Sequence, residues 1–239
     1  MHNAVDAIIL CGGAGLRLKS VTGDAPKSLA SIGERPFLEI LLRQLRRFGF
    51  QKVILAVGYQ KELIRSYFGE EWSDLTLRYA TEEKPLGTGG ALRNALELIA
   101  SDSALIMNGD SYTDADLLSF SIDHQNANAD LSVLLVPADG RTDCGMVSVN
   151  SDGIIRGFKE KQSVLEDNYV NAGVYMANKR ILNEIQPGVH VSLEAQLFAK
   201  WIGEGKRLRA YHHVGRCIDI GTPERYLFAQ TALAHAESS

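Results

Sequence analysis

The residues Val5-Asp-Ala-Ile-Ile-Leu-Cys-Gly-Gly-Ala-Gly-Leu-Arg-Leu18 form a short apolar run that leads directly into a glycine-rich loop. Such a run is typical of a buried parallel strand, and the glycines let backbone N–H groups approach a phosphate closely. Arg17 adds a permanent, forked cation suited to phosphate oxygens. The P-loop and Rossmann spacings counted from Gly13 both need glycine at position 18, where the sequence has Leu18. The stretch therefore predicts an α/β fold with a phosphate-binding loop of another kind.

Apolar runs and amphipathic segments alternate through the first 140 residues, which predicts βαβ units and an open, mostly parallel sheet. Ligands of such sheets bind at the carboxyl ends of the strands. The predicted strands of this half are 5–11, 52–57, 75–80, 104–107 and 131–136, and the predicted helices are 37–48, 60–68 and 88–100.

The pattern changes after about residue 140. Two apolar runs flank Ser151-Asp152-Gly153, which is a hairpin signal. Further elements are predicted as strands at 169–176 and 208–212 and as helices at 193–202 and 222–234, the last with Thr222 as N-cap.

Composition excludes several classes of protein. The chain has 239 residues, of which 45% are hydrophobic and 23% charged, with a formal charge of −4. This apolar content excludes general disorder, and the acidic balance argues against a nucleic-acid or membrane-surface binder. Cys11, Cys144 and Cys217 have no metal or redox spacing and are predicted to be buried reduced thiols. The first residues lack a basic region and the apolar runs are too short for a membrane span, so a cytoplasmic protein is expected.

Polar residues near the predicted strand ends suggest phosphate chemistry. Lys27 follows Arg17 by ten residues, so the two cations could hold opposite sides of one polyphosphate. Asp110 ends an apolar strand, and Asp219 lies between apolar residues. Both carboxylates converging on one Mg²⁺ would suit phosphate transfer, because Mg²⁺ takes few protein ligands and shares substrate phosphates. A salt-bridged or capping role for Asp219 stays open.

Two further segments have alternative interpretations. The run Pro85-Leu-Gly-Thr-Gly-Gly-Ala-Leu92 places three glycines at a helix start, where anions or base edges could bind, or where Thr88 could simply be the N-cap. Asn171 lies inside an apolar strand and must be hydrogen-bonded, either to the fold or to a hydroxyl-rich ligand. The tripeptide Asp114-Ala115-Asp116 has the D-x-D form of glycosyltransferases, but we interpret its acids as caps or surface residues of the following helix.

From about residue 7 to residue 226, these segments together resemble the nucleotide-sugar pyrophosphorylases, which are sugar-1-phosphate nucleotidyltransferases. The motifs, in order, are LCGGAGLRL, PKSL, PLGTGGAL, NGD, FKEK, NAGVY and DIGTP. The resemblance implies a Rossmann-like three-layer α/β fold with a mixed, mostly parallel sheet of the nucleotide-diphospho-sugar transferase type. It also implies one catalytic domain over 1–239, with a nucleotide-binding part at about 1–140 and a sugar-phosphate part at about 141–225. Leu16 departs from the threonine of many members, and we expect activity to survive this change.

The resemblance implies a role for each matching residue, with Mg²⁺ as the cofactor. Catalytic roles fall on Arg17, Lys27 and Lys161, and the metal ligands are Asp110 and Asp219. Nucleotide binding is assigned to Leu10, Gly12, Gly13, Gly15, Gly87, Thr88 and Gly89. Binding of the sugar phosphate is assigned to Gly109, Gly145, Glu160, Asn171, Gly173 and Glu194.

Within the family, the PFLE run at 36–39, the Ser-Leu-Glu at 192–194 and the short length look like the guanylyltransferases that act on D-glycero-α-D-manno-heptose 1-phosphate. The expected reaction joins GTP and the sugar 1-phosphate to GDP-heptose and pyrophosphate. Mannose-1-phosphate guanylyltransferases and N-acetylmuramate 1-phosphate uridylyltransferases are the alternatives within the family. A non-catalytic nucleotide-sugar sensor is the alternative of another class. We expect a monomer or homodimer that binds no nucleic acid or membrane.

Overall fold

A computed structural model describes residues 5–13, 15–23, 25–138, 145–160 and 169–233 of the chain. Its strands are β1 (Asp6–Leu10), β2 (Ser31–Ile32), β3 (Arg35–Pro36), β4 (Lys52–Val57), β5 (Glu71–Trp72), β6 (Leu75–Thr81), β7 (Ser103–Asn108), β8 (Ser111–Thr113), β9 (Leu131–Pro137), β10 (Gly145–Val149), β11 (Ile155–Glu160), β12 (Tyr169–Asn178), β13 (Leu208–His212) and β14 (Cys217–Asp219). Its helices are α1 (Lys19–Thr22), α2 (Phe37–Arg47), α3 (Lys61–Phe68), α4 (Gly87–Ala95), α5 (Leu117–Ala127), α6 (Lys179–Asn183), α7 (Phe198–Gly203) and α8 (Pro223–Leu233). None of these helices is long and apolar enough to cross a membrane.

A ten-stranded mixed sheet forms the middle layer, with the main order β11-β10-β12-β7-β1-β4-β6-β5. Strands β7, β1, β4 and β6 are parallel neighbours, whereas β12 joins β7 in the antiparallel direction. Beyond β12 the sheet continues through β9, which pairs with β12 and with β13. The parallel strands end at one rim, so the segments that follow them lie side by side. The predicted fold class is confirmed.

Two apolar layers cover the faces of the sheet. Alternate residues of β1 point to opposite sides, since Ile9 belongs to one buried cluster and Ile8 to the other. The first cluster packs α2, α3, α5 and α8 against the sheet, and the second packs α4, α6 and α7. Because both faces of the sheet are covered, β1 is apolar at the consecutive positions 7–10 rather than at alternate positions.

Helix α2 shows why the sequence pattern predicts these elements well. Its apolar residues, among them Leu38, Leu41 and Leu45, are buried, and Arg43 on another side of the helix is exposed. The helix stops before Gly49, whose φ of 81° favours glycine. The strand at 52–57, the hairpin around 151–153 and the strand at 208–212 are likewise confirmed.

Some predicted elements differ at their ends. The helix expected at 88–100 is α4 followed by a single 3₁₀ turn at Leu96–Leu98. The helix expected at 193–202 begins with a wide π turn at Leu193–Leu197 before α7. Asp116 is the N-cap of α5, as expected, because its side chain accepts hydrogen bonds from the backbone N–H groups of Leu118 and Ser119.

Two short strands that the sequence did not indicate position the site. Strands β8 and β14 pair in the antiparallel direction and place Asp219 opposite Ser111. The backbone N–H of Ile220 also donates to the carbonyl of Asp110 at 2.9 Å. This pairing brings two distant parts of the chain together at the carboxyl end of β7.

Candidate functional site

A cavity of about 330 Å³ opens at the rim where the parallel strands end. The segments at the carboxyl ends of β7, β1 and β6 line it, as expected for an open α/β sheet. The lining residues are Leu10, Cys11, Gly12, Gly13, Lys27, Ser28, Glu82, Pro85, Gly87, Thr88, Ala91, Asn108, Gly109, Asp110 and His190. Predicted nucleotide-binding residues and one predicted metal ligand therefore share this cavity.

The glycine loop fits closely against its neighbours. Gly15 has a φ of 60°, and a Cβ there would lie 2.8 Å from Cβ of Lys27. Gly109 donates its N–H to the carbonyl of Leu10 at 3.0 Å, and a Cβ on Gly109 would lie 2.6 Å from that oxygen. Glycine at these two positions lets the loop after β1 contact Lys27 on one side and the turn after β7 on the other.

An ion pair joins Lys27 and Asp110 in this cavity. The hydroxyl of Ser111 donates to Asp110 Oδ1 at 3.0 Å. A Cβ built on Gly221 would lie 2.8 Å from Asp219 Oδ1 and 3.7 Å from Lys27 Nζ. The structure therefore brings Lys27, Asp110 and Asp219 to one place.

Asp219 also forms the salt bridge that the sequence left open. Arg225 Nη1 donates to both of its carboxylate oxygens, at 3.0 and 2.8 Å. The N–H of Gly221 donates to Oδ1 at 2.9 Å. Within the described ranges no group of three or more His, Cys, Asp and Glu side chains could hold a metal ion. The possible metal ligands near Lys27 are thus two carboxylates. Carboxylates are hard oxygen ligands, and they suit a cation that completes its coordination shell with oxygens of water or substrate.

Arg17 lies outside the lining of the cavity. It belongs to the one-turn 3₁₀ helix Leu16–Leu18 that follows the glycine loop, and its side chain is exposed. Backbone atoms of Gly12 and Gly13 therefore line the cavity, whereas Arg17 lies where the chain leaves the loop.

The start of α4 contacts the 189–191 segment as well as the cavity. Gly87 has a φ of 69°, and a Cβ there would lie 2.6 Å from the carbonyl of Val191. The N–H of Gly89 donates to the same carbonyl at 2.9 Å, which makes Gly89 a packing residue in this structure. Leu86 is the N-cap residue and provides no side-chain cap, so the alternative of Thr88 as the N-cap is wrong.

A chain of partly buried hydrogen bonds connects Thr88 to Asn171. The hydroxyl of Thr88 donates to Glu194 Oε2 at 2.7 Å, and the phenol of Tyr175 donates to Glu194 Oε1 at 2.9 Å. Asn171 Nδ2 donates to that phenol oxygen at 2.8 Å. Asn171 Oδ1 in turn accepts from the N–H of Gly173 at 2.9 Å. Of the two interpretations of Asn171, hydrogen bonding to the fold is confirmed.

Burial controls the ionisation of the Tyr175 phenol in this chain. Tyr175 has no exposed surface, and desolvation together with the neighbouring Glu194 raises the pKa of its phenol well above the ordinary value. The phenol therefore remains a donor to the Glu194 carboxylate. Gly173, with a φ of 74°, allows the close approach of Asn108, because a Cβ there would lie 2.7 Å from Asn108 Nδ2.

The remaining predicted residues belong to the β10–β11 hairpin. Gly145 pairs with Glu160 across it, and a Cβ on Gly145 would lie 2.4 Å from the ring of Phe158. For Glu160 the structure describes the backbone only, and Lys161 lies outside the described residues. Cys11 is a buried free thiol whose pKa is raised by desolvation. Cys217 is partly buried, and its thiol donates to the carbonyl of Ala172 at 3.9 Å. Cys144 lies outside the described residues.

Several residues that line the cavity were not predicted from the sequence to belong to the site. Ser28 Oγ and Asn108 Oδ1 are buried, and neither has a hydrogen-bond partner among the residues that the structure describes. Glu82 directly follows β6, and burial raises the pKa of its carboxyl above the usual range. The position after a parallel strand, which drew attention to Asp110, is the signal that could have indicated Glu82.

Comparisons with known proteins agree with this geometry. The family model described as nucleotidyl transferase matches residues 6–236. A D-glycero-α-D-manno-heptose 1-phosphate guanylyltransferase of Aneurinibacillus thermoaerophilus is 36% identical over 231 residues, which are 97% of this chain and 99% of that protein. A mannose-1-phosphate guanylyltransferase of Mycobacterium tuberculosis is 32% identical, over 93% of this chain and 63% of that protein. The crystal structure of HddC from Yersinia pseudotuberculosis complexed with GMP-PN superimposes with a TM-score of 0.83 and 30% identity, covering 96% of this chain and 99% of that one.

Proposed function

The chain belongs to the nucleotidyl transferase family, and from this premise we propose that it transfers a guanylyl group from GTP to D-glycero-α-D-manno-heptose 1-phosphate. The products are GDP-heptose and pyrophosphate. The full-length relative of that name and the HddC complex with GMP-PN support the choice of sugar and base. The observation that carries the proposal is that Lys27 and Asp110 form an ion pair in the cavity beside the glycine loop, with Asp219 close to Lys27.

The proposed reaction needs positioning and charge neutralisation rather than a general base. An oxygen of the sugar 1-phosphate attacks the α-phosphorus of GTP, and pyrophosphate leaves in line. Since the attacking oxygen is already an anion, no proton has to be removed from it. Backbone N–H groups of Gly12 and Gly13 and the ammonium of Lys27 would bind the phosphates, and Arg17 at the loop exit would neutralise the outer ones. These contributions are the main ones in phosphoryl transfer generally.

We propose that Asp110 and Asp219 hold a divalent metal ion, with Mg²⁺ as the ion. Two carboxylates fit Mg²⁺, which commonly takes one or two carboxylates and completes its shell with water and substrate phosphates. When bound, the ion supplies positive charge to the phosphate oxygens. In the structure Lys27 forms an ion pair with Asp110, and Arg225 forms one with Asp219, so each carboxylate already lies beside a cation.

The sugar phosphate would bind beyond Thr88, near the hydrogen-bonded chain. Glu194 has about four acceptor positions, and Tyr175, Thr88 and Ser192 use three of them, which leaves one for a sugar hydroxyl. We assign Asn171 to the same subsite, and Lys161 to the attacking phosphate. We also assign to the sugar-phosphate subsite Gly109, Gly145, Glu160 and Gly173.

A mannose 1-phosphate substrate is the second candidate, because the 32% identical relative from Mycobacterium tuberculosis carries that name. Both candidates use GTP, and they differ only in the sugar subsite. The single catalytic domain, the cytoplasmic location and the monomer or homodimer expected from the sequence stay predictions.

A pyrophosphate-release assay tests the proposal. The purified chain would be given each of GTP, UTP, CTP, ATP and dTTP with heptose 1-phosphate, mannose 1-phosphate or N-acetylmuramate 1-phosphate. The proposal expects the highest kcat/KM for GTP with heptose 1-phosphate. Higher turnover with mannose 1-phosphate would select the second candidate, and no release with any pair would refute both.

A further inference from the structure

A second cavity, of about 400 Å³, lies beside β13, and none of its lining residues also lines the first cavity. One wall is the β10–β11 hairpin, with Asp152 and residues 154–156. The other wall is formed by residue 202 in α7 and residues 205–207 before β13. An isolated antiparallel bridge between Ile154 and Arg209 holds the hairpin against β13. The proposed transfer reaction uses no residue of this cavity.

The basic side chains that line the second cavity differ in their partners. Lys206 forms an ion pair with Glu184 outside the lining. Arg156 and Arg207 are exposed, and their side chains form no hydrogen bond or ion pair with the residues that the structure describes. The backbone N–H of Arg207 donates to Asp130 Oδ2 at 2.9 Å, which fixes the main chain from which that side chain extends. Two guanidinium groups, one from each wall, are therefore available to a ligand.

A phosphate matches this pair of guanidinium groups. Each guanidinium presents a planar fork of N–H donors that fits phosphate oxygens, and hydrogen bonds between such charged groups are about twice as strong as neutral ones. One phosphate dianion that accepts from both Arg156 and Arg207 would also offset the repulsion between the two cations.

The rest of the cavity suits an organic group attached to that phosphate. Ile154, Ile155 and Ile202 give the walls an apolar surface, which a free phosphate ion could not use. A volume of about 400 Å³ is also within the usual range for small-molecule sites, which is about 300–1,000 Å³. Charge and shape together favour a ligand with one anionic end and a body the size of a sugar.

We propose that the second cavity binds a phosphate monoester the size of a sugar phosphate, with Arg156 and Arg207 on the phosphate and the isoleucines against the organic part. The bound ester would join the β10–β11 hairpin to the segment before β13. Asp152 lines the same cavity and would repel the phosphate, so the phosphate lies on the arginine side. This inference does not rest on the proposed function, because it concerns a different cavity.

Glucose 6-phosphate is a suitable probe, because its phosphate is on C6 and it is not a sugar 1-phosphate. Titration calorimetry would measure its Kd for the unaltered chain and for each variant, with inorganic phosphate as a second probe. Arg156→Gln and Arg207→Gln should each raise the Kd for glucose 6-phosphate about tenfold, since each removes hydrogen bonds to a charged group. Inorganic phosphate should bind the unaltered chain more weakly than the ester, because it makes no contact with the apolar walls.

Two further variants show whether charge acts at this place in particular. Asp152→Asn removes the repelling carboxylate and should lower the Kd for glucose 6-phosphate, by up to about fivefold. Arg78→Gln is the matched control, because Arg78 is an exposed arginine on β6, far across the sheet from β13, and pairs with Glu70 at 3.6 Å. The control should keep the Kd of the unaltered chain, and circular dichroism would check that every variant is folded.

Several results would overturn the proposal. The cavity is not the site if glucose 6-phosphate does not bind the unaltered chain, or if its Kd is the same in Arg156→Gln, Arg207→Gln and Arg78→Gln. Equal affinity for inorganic phosphate and glucose 6-phosphate would refute the assignment of an ester. Pyrophosphate release by the unaltered chain is a separate readout: its absence would refute the proposed function and leave the second cavity unaffected.

Discussion

Replacement of Tyr175 by phenylalanine tests the hydrogen-bonded chain that runs from Thr88 to Asn171. The phenol is fully buried, donates to Glu194 at 2.9 Å and accepts from Asn171 at 2.8 Å. Tyr175→Phe keeps the ring and its contact with Phe198 but removes both hydrogen bonds. One carboxylate oxygen and one amide N–H are then left without the partner they have in the structure.

The size of the effect follows from these lost partners. An unsatisfied buried group costs about 1–3 kcal/mol, and the carboxylate lies at the upper end of that range. Asn171 and Glu194 are only partly buried and can recover some hydration, so we expect a loss of about 2–4 kcal/mol in the free energy of unfolding. For a chain of this length that corresponds to a decrease of about 4–16 °C in Tm.

Urea denaturation and steady-state kinetics would measure this prediction. Since the phenol orients Asn171 and Glu194, the KM for the sugar phosphate should rise about tenfold, which corresponds to about 1.4 kcal/mol, while the Kd for GTP stays within threefold. Tyr211→Phe is the matched control, because that hydroxyl has no hydrogen bond among the described residues and its ring contact with Phe120 remains. If Tyr175→Phe is as stable and as active as the control, the chain of hydrogen bonds does not support the site.

Three further predictions concern charge. Asp110→Asn and Asp219→Asn should each lower Mg²⁺-dependent pyrophosphate release about 10²–10³-fold with the circular dichroism spectrum unchanged, because each removes a proposed metal ligand. Arg17→Ala should raise the KM for GTP, and Lys161→Ala should raise the KM for the sugar phosphate, about tenfold each in steady-state kinetics, since the two cations act on different substrates. Burial lowers the pKa of His124, so below about pH 6.5 the unfolded state takes up a proton more readily than the folded state does. Urea unfolding should therefore show stability falling toward pH 5.5, by up to about 1.4 kcal/mol, in the unaltered chain but not in His124→Gln.

Each of these predictions has an outcome that contradicts it. Near-normal pyrophosphate release by either Asp variant would remove that residue from the metal site. A rise in the KM for GTP alone in both Arg17→Ala and Lys161→Ala would refute the two-sided layout. An equal loss of stability on acidification in His124→Gln and in the unaltered chain would show that other groups cause it.

The sequence predicts the rim of the sheet because buried parallel strands are visible as apolar runs. The glycine loop after β1 and Asp110 after β7 follow such runs directly, and both line the cavity. The amphipathic pattern of α2 likewise reflects one buried and one solvated side. These features depend on local sequence, so they can be read without knowing the rest of the fold.

Features that depend on long-range pairing were not predictable in this way. Strands β8 and β14 have three residues each, too few for a periodic signal, yet they place Asp219 beside Asp110. The contact from Thr88 through Glu194 to Tyr175 joins three elements that are far apart in sequence. The polar Asn171 within an apolar strand was the one local sign of that chain.

The central claim, that this cavity transfers a guanylyl group to a sugar 1-phosphate, is tested most directly by following the phosphorus atoms of GTP. GTP labelled at the α-phosphate and GTP labelled at the γ-phosphate would be incubated separately with the chain and heptose 1-phosphate. The account predicts that the α label appears in a sugar nucleotide of the mass of GDP-heptose and that the γ label appears in pyrophosphate. Release of the α label as GMP or GDP, or of the γ label as inorganic phosphate, would contradict it.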